Sequence, residues 1–299
     1  MPSRPETGQM HPRNAQPLMN LAWLPQLTWA DPTLTTLEDQ IHIPIRSERP
    51  VELGVNDGNA ARVLGGLTAD PGYAPMFAAA FPDEPNPGWD HVVQSLASFL
   101  RTMTSFDSPV DRYAQGDGAA LTPPARRGLA LFGDDRFECH QCHSGPTMTV
   151  SYVDAETPPG AEPGMFFTNA LYDLDGTGAY PEGNQGLYEV TGDPRHRGLF
   201  RPPSLRNIAL TAPYMHDGSL ETLEEVLDHY ASGGRPRDGA DPGKVMRGHE
   251  HRHGGPIRGF AMTEEEKADM IAFLTALTDD GFVTRSDLAD PRGIADTAD

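Results

Sequence analysis

The stretch 137–146 reads FECHQCHSGP and holds both cysteines of the chain, Cys139 and Cys142. Two cysteines three apart with a histidine directly after are the attachment pattern for a c-type haem. The spacing has a mechanism. Residues at i and i+3 share one face of a helical turn, so both thiols can reach the two vinyl groups of one porphyrin. The next residue, His143, then offers its imidazole to the iron as proximal ligand, while His140 inside the motif reads as a solvated spacer. Other readings of the pair are a disulfide, a thioredoxin-like redox motif, which needs a βαβ context, and zinc, which needs two further ligands at fixed spacing. His249, His251 and His253 are more than a hundred residues away.

The 299-residue chain fits an ordered protein with long loops. Hydrophobic residues make up 37% and are spread along the whole length, while 31 glycines and 29 prolines interrupt them. The formal net charge is −20, which disfavours nucleic acid, since a phosphate backbone calls for clustered Lys and Arg. It favours a basic protein partner. No apolar run approaches the ~18 residues of a membrane span, and residues 1–16 lack the charged-then-apolar pattern of an export signal.

The apolar spacing is helical, with no internal repeat and no sustained β-alternation. Thr36-Leu-Glu-Asp39 predicts a helix start within 34–45. Short helices are predicted over 59–67 and 73–81. A longer one over 89–105 carries Val92, Val93, Leu96, Phe99, Leu100 and Met103 at a 3.6-residue period. Residues 107–122 read as a loop. A helix opening at Pro123-Pro124 is expected to run through Leu129 and Phe132 into the haem motif. Residues 144–203 show no period, which in a folded chain points to function or ligand wrapping. Thr222-Leu-Glu-Glu225 and Thr263-Glu-Glu-Glu266 are capping boxes. The helix behind the first places Leu223, Val226, Leu227 and Tyr230 on one face and ends at Gly233-Gly234.

Several stretches together resemble the bacterial di-haem cytochrome c peroxidase/MauG superfamily. LFGDDRFECHQCHSGP at 131–146 looks like the lead into its second haem. FRPPSLRNIALTAPYMHDGSLETLEEVLDHYASGG at 200–234 is similar to its longest motif, and LTWADPTLTTLEDQIHIPIRSERPVELG at 27–54 to the segment after its first haem. FFTNALYDLDGTGAYPEGNQGLYEVTGDP at 166–194 resembles the MbnH-like branch. The resemblance implies an all-α fold of loop-rich, c-type cytochrome-like domains. Residues 1–118 would be the remainder of the peroxidatic N-terminal domain and 119–299 the C-terminal haem domain. The family carries two covalent haems, of which only the second attachment site lies here. The chain begins where the family would be just past the first, so an upstream segment bearing that motif and an export signal is expected.

The resemblance also assigns roles to residues. Cys139, Cys142 and His143 would hold the second haem. Tyr230 would be its distal iron ligand where peroxidases proper have methionine, and an anionic phenolate favours the higher oxidation states that a thioether does not. Residue type alone also permits a core tyrosine on an amphipathic helix. Met215 and His216 are the competitors, the latter a better outer hydrogen-bonding residue. Glu52 and Gln40 match the distal acid and amide over the first haem, with Pro44 shaping the same pocket. Trp29 matches the tryptophan between the haems. Asn14, Thr211 and Pro213 match positions around a possible Ca2+. Arg201 and Arg206 would meet haem propionates or form surface ion pairs.

Three functions follow as expectations. The first is a periplasmic MauG/MbnH-type oxidase. It would use H2O2 and a high-valent haem pair to oxidise an aromatic residue of a partner protein, in the MbnH branch a tryptophan on a copper-linked partner. The second is a cytochrome c peroxidase reducing H2O2 with electrons from a small cytochrome, for which an acidic surface is suited. The third is a single-haem electron carrier or inactive remnant.

Overall fold

The computed structural model describes residues 11–158, 166–174, 178–234 and 259–289; the His249–His253 loop lies outside them. The all-α expectation holds. Among the described residues regular structure is helical, and extended pairing is confined to isolated bridges, Glu48–Val51, Phe167–Phe200 and Tyr214–Leu220.

Ten α-helices follow in chain order among the described residues: α1 Leu37–Arg46, α2 Ala60–Ala69, α3 Tyr73–Ala80, α4 Trp89–Thr102, α5 Pro109–Ala114, α6 Pro123–Phe132, α7 Tyr188–Thr191, α8 Leu223–Ala231, α9 Glu264–Thr275 and α10 Asp280–Val283. Their starts are set by side-chain caps. Thr36 accepts the Asp39 amide at 3.1 Å to open α1. Thr222 accepts the Glu225 amide at 3.1 Å, and the Glu225 carboxylate returns to the Thr222 amide at 3.3 Å to open α8. Thr263 and Glu266 do the same for α9. Each cap satisfies amides that the first helical turn leaves without partners. Gly233 and Gly234, both at positive φ, end the segment after α8.

Two elements depart from the reading of the sequence. Residues 107–122 are not all loop: Ser108 and Asp111 form a reciprocal cap with Pro109 in the first turn, and α5 results. The α6 helix does not reach the haem motif. It stops at Phe132, where Gly133 caps it, and Asp134 accepts the Arg136 amide at 2.8 Å to turn the chain. The cysteines then lie on a separate 3-10 turn, Cys139–Gln141. The stripe of α4 is also wider than its buried face. Val92, Val93 and Ala97 are buried, whereas Leu96 and Phe99 are exposed.

Apolar packing forms two main clusters. One gathers Leu21, Leu24, Leu27, Leu37, Ile41, Ile45, Val55, Val93 and Ala97, so that α1 lies on α4. The other gathers Phe132, Phe137, Tyr214, Leu223, Leu227, Met270, Phe273, Leu274 and Leu277 from α6, α8, α9 and the intervening loops. The α6 and α9 helices cross at Gly128. A Cβ there would stand 2.0 Å from the Asp269 carbonyl oxygen and 2.8 Å from the Phe273 Cβ. The same crossing is clamped by Arg127, whose Nε and a terminal nitrogen donate to the Asp269 carboxylate at 2.6 and 2.7 Å.

A buried polar hub links four distant segments. Ser105 is wholly buried; its amide donates to Asn20 Oδ1 at 2.9 Å and its hydroxyl to Asp279 Oδ2 at 3.1 Å. Asn20 Nδ2 donates to the Ser105 carbonyl at 3.0 Å, and Asn207 Nδ2 to the Ser105 hydroxyl at 2.9 Å. Asn207 Oδ1 in turn accepts the Asp279 amide at 2.8 Å. Both asparagines adopt the left-handed backbone, φ 60 and 57, which asparagine tolerates better than other side-chain-bearing residues.

Gly128→Ala tests the helix crossing. Overpacking of a close contact costs roughly 1–3 kcal/mol, so the urea midpoint of the variant is expected to fall with its slope unchanged.

Candidate haem site

The turn that carries the cysteines is built locally. Glu138 takes a left-handed backbone, φ 55, before it. The amides of Cys142 and His143 return to the Cys139 carbonyl at 3.3 and 3.0 Å, which brings both sulfurs to one face. Neither cysteine is in a disulfide. Burial pushes the Cys139 thiol up to about 11 and the Cys142 thiol up to about 12. A redox-exchange cysteine needs a depressed value, so the thioredoxin reading is not supported.

His143 Nδ1 lies 3.1 Å from the Pro203 carbonyl oxygen. A carbonyl only accepts, so Nδ1 carries the proton and Nε2 keeps the lone pair. Burial lowers His143 to about 4, leaving a neutral imidazole at physiological pH. A ring with a fixed tautomer and an available Nε2 is the form that binds a metal.

Tyr230 comes to the same place from α8. The residue as a whole is 36% exposed, while its ionising oxygen is enclosed and within electrostatic reach of both thiols. Its ionisation is pushed above the ordinary phenol value, first by burial and then by Cys142 and Cys139, while a hydrogen bond from the Asn169 side chain opposes the shift. Its rivals on the sequence sit differently. His216 is buried and stacked on Phe200, ring centroids 3.8 Å apart, and its Nδ1 is 3.4 Å from Asn184 Nδ2. Met215 Sδ is 3.3 Å from Asn169 Nδ2. Cys139, Cys142, His143 and Tyr230 therefore converge from two segments almost ninety residues apart in sequence. As a donor set of two free thiols, one neutral imidazole and one phenol, they fit a covalently attached haem.

The other candidate residues are distributed over the N-terminal segments. The loop after α1 folds back on it, with the Leu53 amide donating to Pro44 O at 2.9 Å and the Val55 amide to Ile45 O at 3.1 Å. Glu52 is thereby held at the end of α1, 3.6 Å from His11 Nε2. Gln40 Oε1 is buried and has no hydrogen-bond partner among the described residues. The Trp29 indole N–H donates to the Asn14 carbonyl at 2.8 Å, and the ring stands edge-on to His216 at 6.4 Å. Asn14 Nδ2 donates to the Pro213 carbonyl at 2.6 Å, whereas the Thr211 hydroxyl turns to Ile208 O at 3.2 Å.

The two arginines differ from one another. Arg206 is not a surface pair: it is buried, bidentate to Asp111 at 2.6 and 2.7 Å, and lies over the Phe106 ring at 4.6 Å. Arg201 is buried too. It donates to Thr28 O at 2.9 Å and to Gln16 Oε1, and no carboxylate among the described residues pairs with it. Burial lowers it to about 10.

Residues 3–119 match the family described as di-haem cytochrome c peroxidase. The chain is 32% identical over 291 residues to a cytochrome-c peroxidase of Denitromonas iodatirespirans, covering 92% of this chain and 71% of that protein. The chain belongs to the di-haem cytochrome c peroxidase/MauG superfamily. It is also 34% identical over 266 residues to the methylamine utilization protein MauG of Methylorubrum extorquens, covering 89% of this chain and 64% of MauG's length. A crystal structure of a MauG-like protein associated with microbial copper homeostasis superimposes with a TM-score of 0.86 at 42% identity, over 97% of this chain and 82% of that one. The fold class and the covalent haem c expected of a di-haem peroxidase-family chain agree with these likenesses.

Three neighbours of the site were not legible in the sequence. Asn169 lies in the quoted MbnH-like stretch but meets α8 only through tertiary packing. His229, next to Tyr230, donates from Nε2 to the Asn169 carbonyl at 2.7 Å. His11 meets Glu52 across forty residues.

The Asp111–Arg206 pair gives a pH dependence. Burial alone would raise the Asp111 carboxyl, but hydrogen bonds from Arg206 and Ser108 outweigh it and hold it below the ordinary range. A depressed carboxylate contributes its full stability above its unfolded value, near ~4, and loses it as pH falls through the folded value. The thermal midpoint is expected to stay level down to about that pH and then decline. Asp111→Asn is expected to lower stability at neutral pH by roughly 3–5 kcal/mol, since Arg206 is left buried and unpaired, and to flatten the acid limb of the melting profile.

Proposed function

We propose that this protein is a haem-dependent oxidoreductase of the MauG/MbnH type, which uses H2O2 to oxidise an aromatic residue, tryptophan in particular, of a partner protein. The observation that carries this reading is Tyr230, whose phenol faces the cysteine turn where a peroxidase proper would present methionine. Covalent haem c supplies the redox chemistry with peroxide when bound. Cys139 and Cys142 would hold it by thioether bonds, and His143 Nε2 and the Tyr230 oxygen would be the protein's ligands to its iron. Arg201 is the suited propionate partner, because a buried guanidinium without a carboxylate gains most from one. Asn14, Thr211 and Pro213 would present oxygens to Ca2+, with Asn14 turning its amide from the Pro213 carbonyl. The family's first haem, expected near Glu52, Gln40 and Trp29, belongs to the same reading.

The chain's own groups then divide the work. Glu52 would take a proton from one peroxide oxygen and return it to the other, the work of a general acid–base. Gln40, with its free Oε1, would orient the bound peroxide. Trp29, anchored by its N–H on Asn14, would be the fixed aromatic stepping stone toward the second haem. We place the domain boundary near residue 118 and the protein in the periplasm, the compartment suited to covalent haem. Among the described residues no helix is long and apolar enough to cross a membrane. A copper-linked partner is suggested by the likeness to the MauG-like protein associated with microbial copper homeostasis.

The second reading, a cytochrome c peroxidase fed by a small basic cytochrome, is favoured by the peroxidase relatives and by the net charge of −20. A single-haem electron carrier is the third. Tyr230→Met separates them. In the proposed oxidase, peroxide produces a persistent change in the Soret spectrum, and the substitution abolishes both it and oxidation of the partner. In a peroxidase the substitution is nearly silent and cytochrome-dependent peroxide turnover continues. A carrier shows no spectral response to peroxide before or after the change.

A further inference from the structure

Trp29 belongs to a cluster of aromatic rings that extends from it toward the surface. Trp29, Tyr172, Tyr180 and Phe200 pack together around Ala30, and the His216 ring stands among them. Its centroid is 6.4 Å from Trp29, 3.8 Å from Phe200, 6.0 Å from Tyr180 and 6.2 Å from Tyr172. The two tyrosine rings are 5.4 Å apart. Phe200, Tyr180 and His216 are buried, whereas Tyr172 is half-buried and lies two residues from the exposed Leu174. The array therefore joins the Trp29 indole to a phenol at the edge of the protein through rings in near contact.

The two phenols differ in what meets their hydroxyls. The Tyr180 hydroxyl lies 3.2 Å from the Thr168 hydroxyl, a neutral group. The Tyr172 hydroxyl donates to Asp217 Oδ2 at 2.5 Å, and Oδ1 of the same carboxylate accepts the Ser219 amide at 3.0 Å. A phenol loses an electron readily only when its proton leaves at the same time, and a carboxylate in hydrogen-bond contact is a base placed to take it. Two other half-buried tyrosines are set the opposite way. Tyr113 and Tyr188 carry the Arg126 and Arg197 guanidinium groups over their rings at 5.7 and 4.4 Å, and a cation on a ring face opposes removal of an electron from that ring. We propose that Tyr172 is the residue through which an oxidising equivalent leaves this protein, with Asp217 holding the phenol proton while the electron is absent. The inference rests on the reading of the protein as an oxidase of a partner's aromatic residue. Tyr172 gives one electron through the array and Trp29 to the peroxide-oxidised haem pair, and its hydroxyl proton passes to Asp217, which leaves a neutral phenoxyl. A tryptophan of the partner then supplies one electron and Asp217 returns the proton. Tyr172 is regenerated, and the partner carries the oxidation.

The test treats the haem-loaded protein, without a partner, with H2O2 and a nitroso spin trap, and locates the trapped residue by mass spectrometry of its peptides. A second sample replaces peroxide with flash-activated ruthenium tris-bipyridine and persulfate, which oxidise the protein without using the haem. In both, the adduct is expected on Tyr172 in preference to Tyr113 and Tyr188. Asp217→Asn keeps the shape of the side chain and removes its basicity. It is expected to lower the Tyr172 adduct roughly tenfold, the loss of one charge-assisted hydrogen bond expressed as a rate, with haem content unchanged. Tyr172→Phe is expected to lose that adduct, while the peroxide-induced change in the Soret spectrum persists. If Tyr172→Phe fails to take up haem, Asp217→Asn decides. A Soret change in the wild-type protein with no adduct on Tyr172 would overturn the exit role and leave the oxidase reading in place. A Tyr172 adduct of equal yield in Asp217→Asn would show that the carboxylate takes no part, and would also overturn the proposal. A wild-type Soret spectrum that peroxide leaves unchanged would remove the oxidase reading and this inference with it.

Discussion

A single buried carboxylate organises the packing on which the haem site rests. Asp279 is almost wholly enclosed, and its oxygens are taken by the Ser105 hydroxyl, the Asp107 amide and the Phe282 amide. Ser105 then passes the connection to Asn20 on one side and Asn207 on the other. Four segments that are remote in sequence are fixed at one point by groups that all find partners. Such a network is stable only when complete, because an unpaired member would pay the cost of desolvation without return. It places the chain around Asn207 so that 200–206 runs back beside the cysteine turn, with Leu205 donating to Met148 O and Thr149 to Pro202 O.

From that placement the site follows. The Pro202-Pro203 segment has no amide hydrogens to contribute, so it presents carbonyls, and His143 uses one of them. The α8 helix, opened by its own capping box and seated by Leu223 and Leu227 in the second apolar cluster, brings Tyr230 toward the cysteine turn. Ligand candidates, hydrogen-bond donors and the buried cation Arg201 are therefore set by helix seating and loop carbonyls rather than by a continuous motif. This is how a chain rich in glycine and proline still fixes side chains from distant segments at one place.

Much of the architecture was legible because its determinants are local. The caps at Thr36, Thr222 and Thr263 and the proline opening of α6 rest on interactions between residues three or four apart, and the structure keeps each of them. The cysteine motif and the family likeness were equally local. The α5 helix was missed because Asp in the capping box and a six-residue length gave it no apolar period. The premature end of α6 was missed because the apolar spacing of Leu129 and Phe132 says nothing about Gly133 and Asp134 downstream. Asn169, His229, Arg201 and the Ser105 hub depend on contacts between sixty and nearly two hundred residues apart, for which a sequence carries no periodic sign. The aperiodic stretch 144–203 holds, among its described residues, the four-residue α7, a 3-10 turn at Pro194–His196 and the Phe167–Phe200 bridge, and which of its residues face the site is a tertiary property.

The His143–Pro203 hydrogen bond carries one further implication. It joins residues sixty apart, so closing it costs loop entropy that only the assembled domain repays. The tautomer of the histidine is therefore not encoded in the five-residue motif that names it. A peptide carrying Cys139–His143 alone would offer iron an imidazole free to present either nitrogen, in either ring orientation. The motif specifies where a porphyrin can be attached; the distant proline carbonyl specifies which lone pair the metal meets.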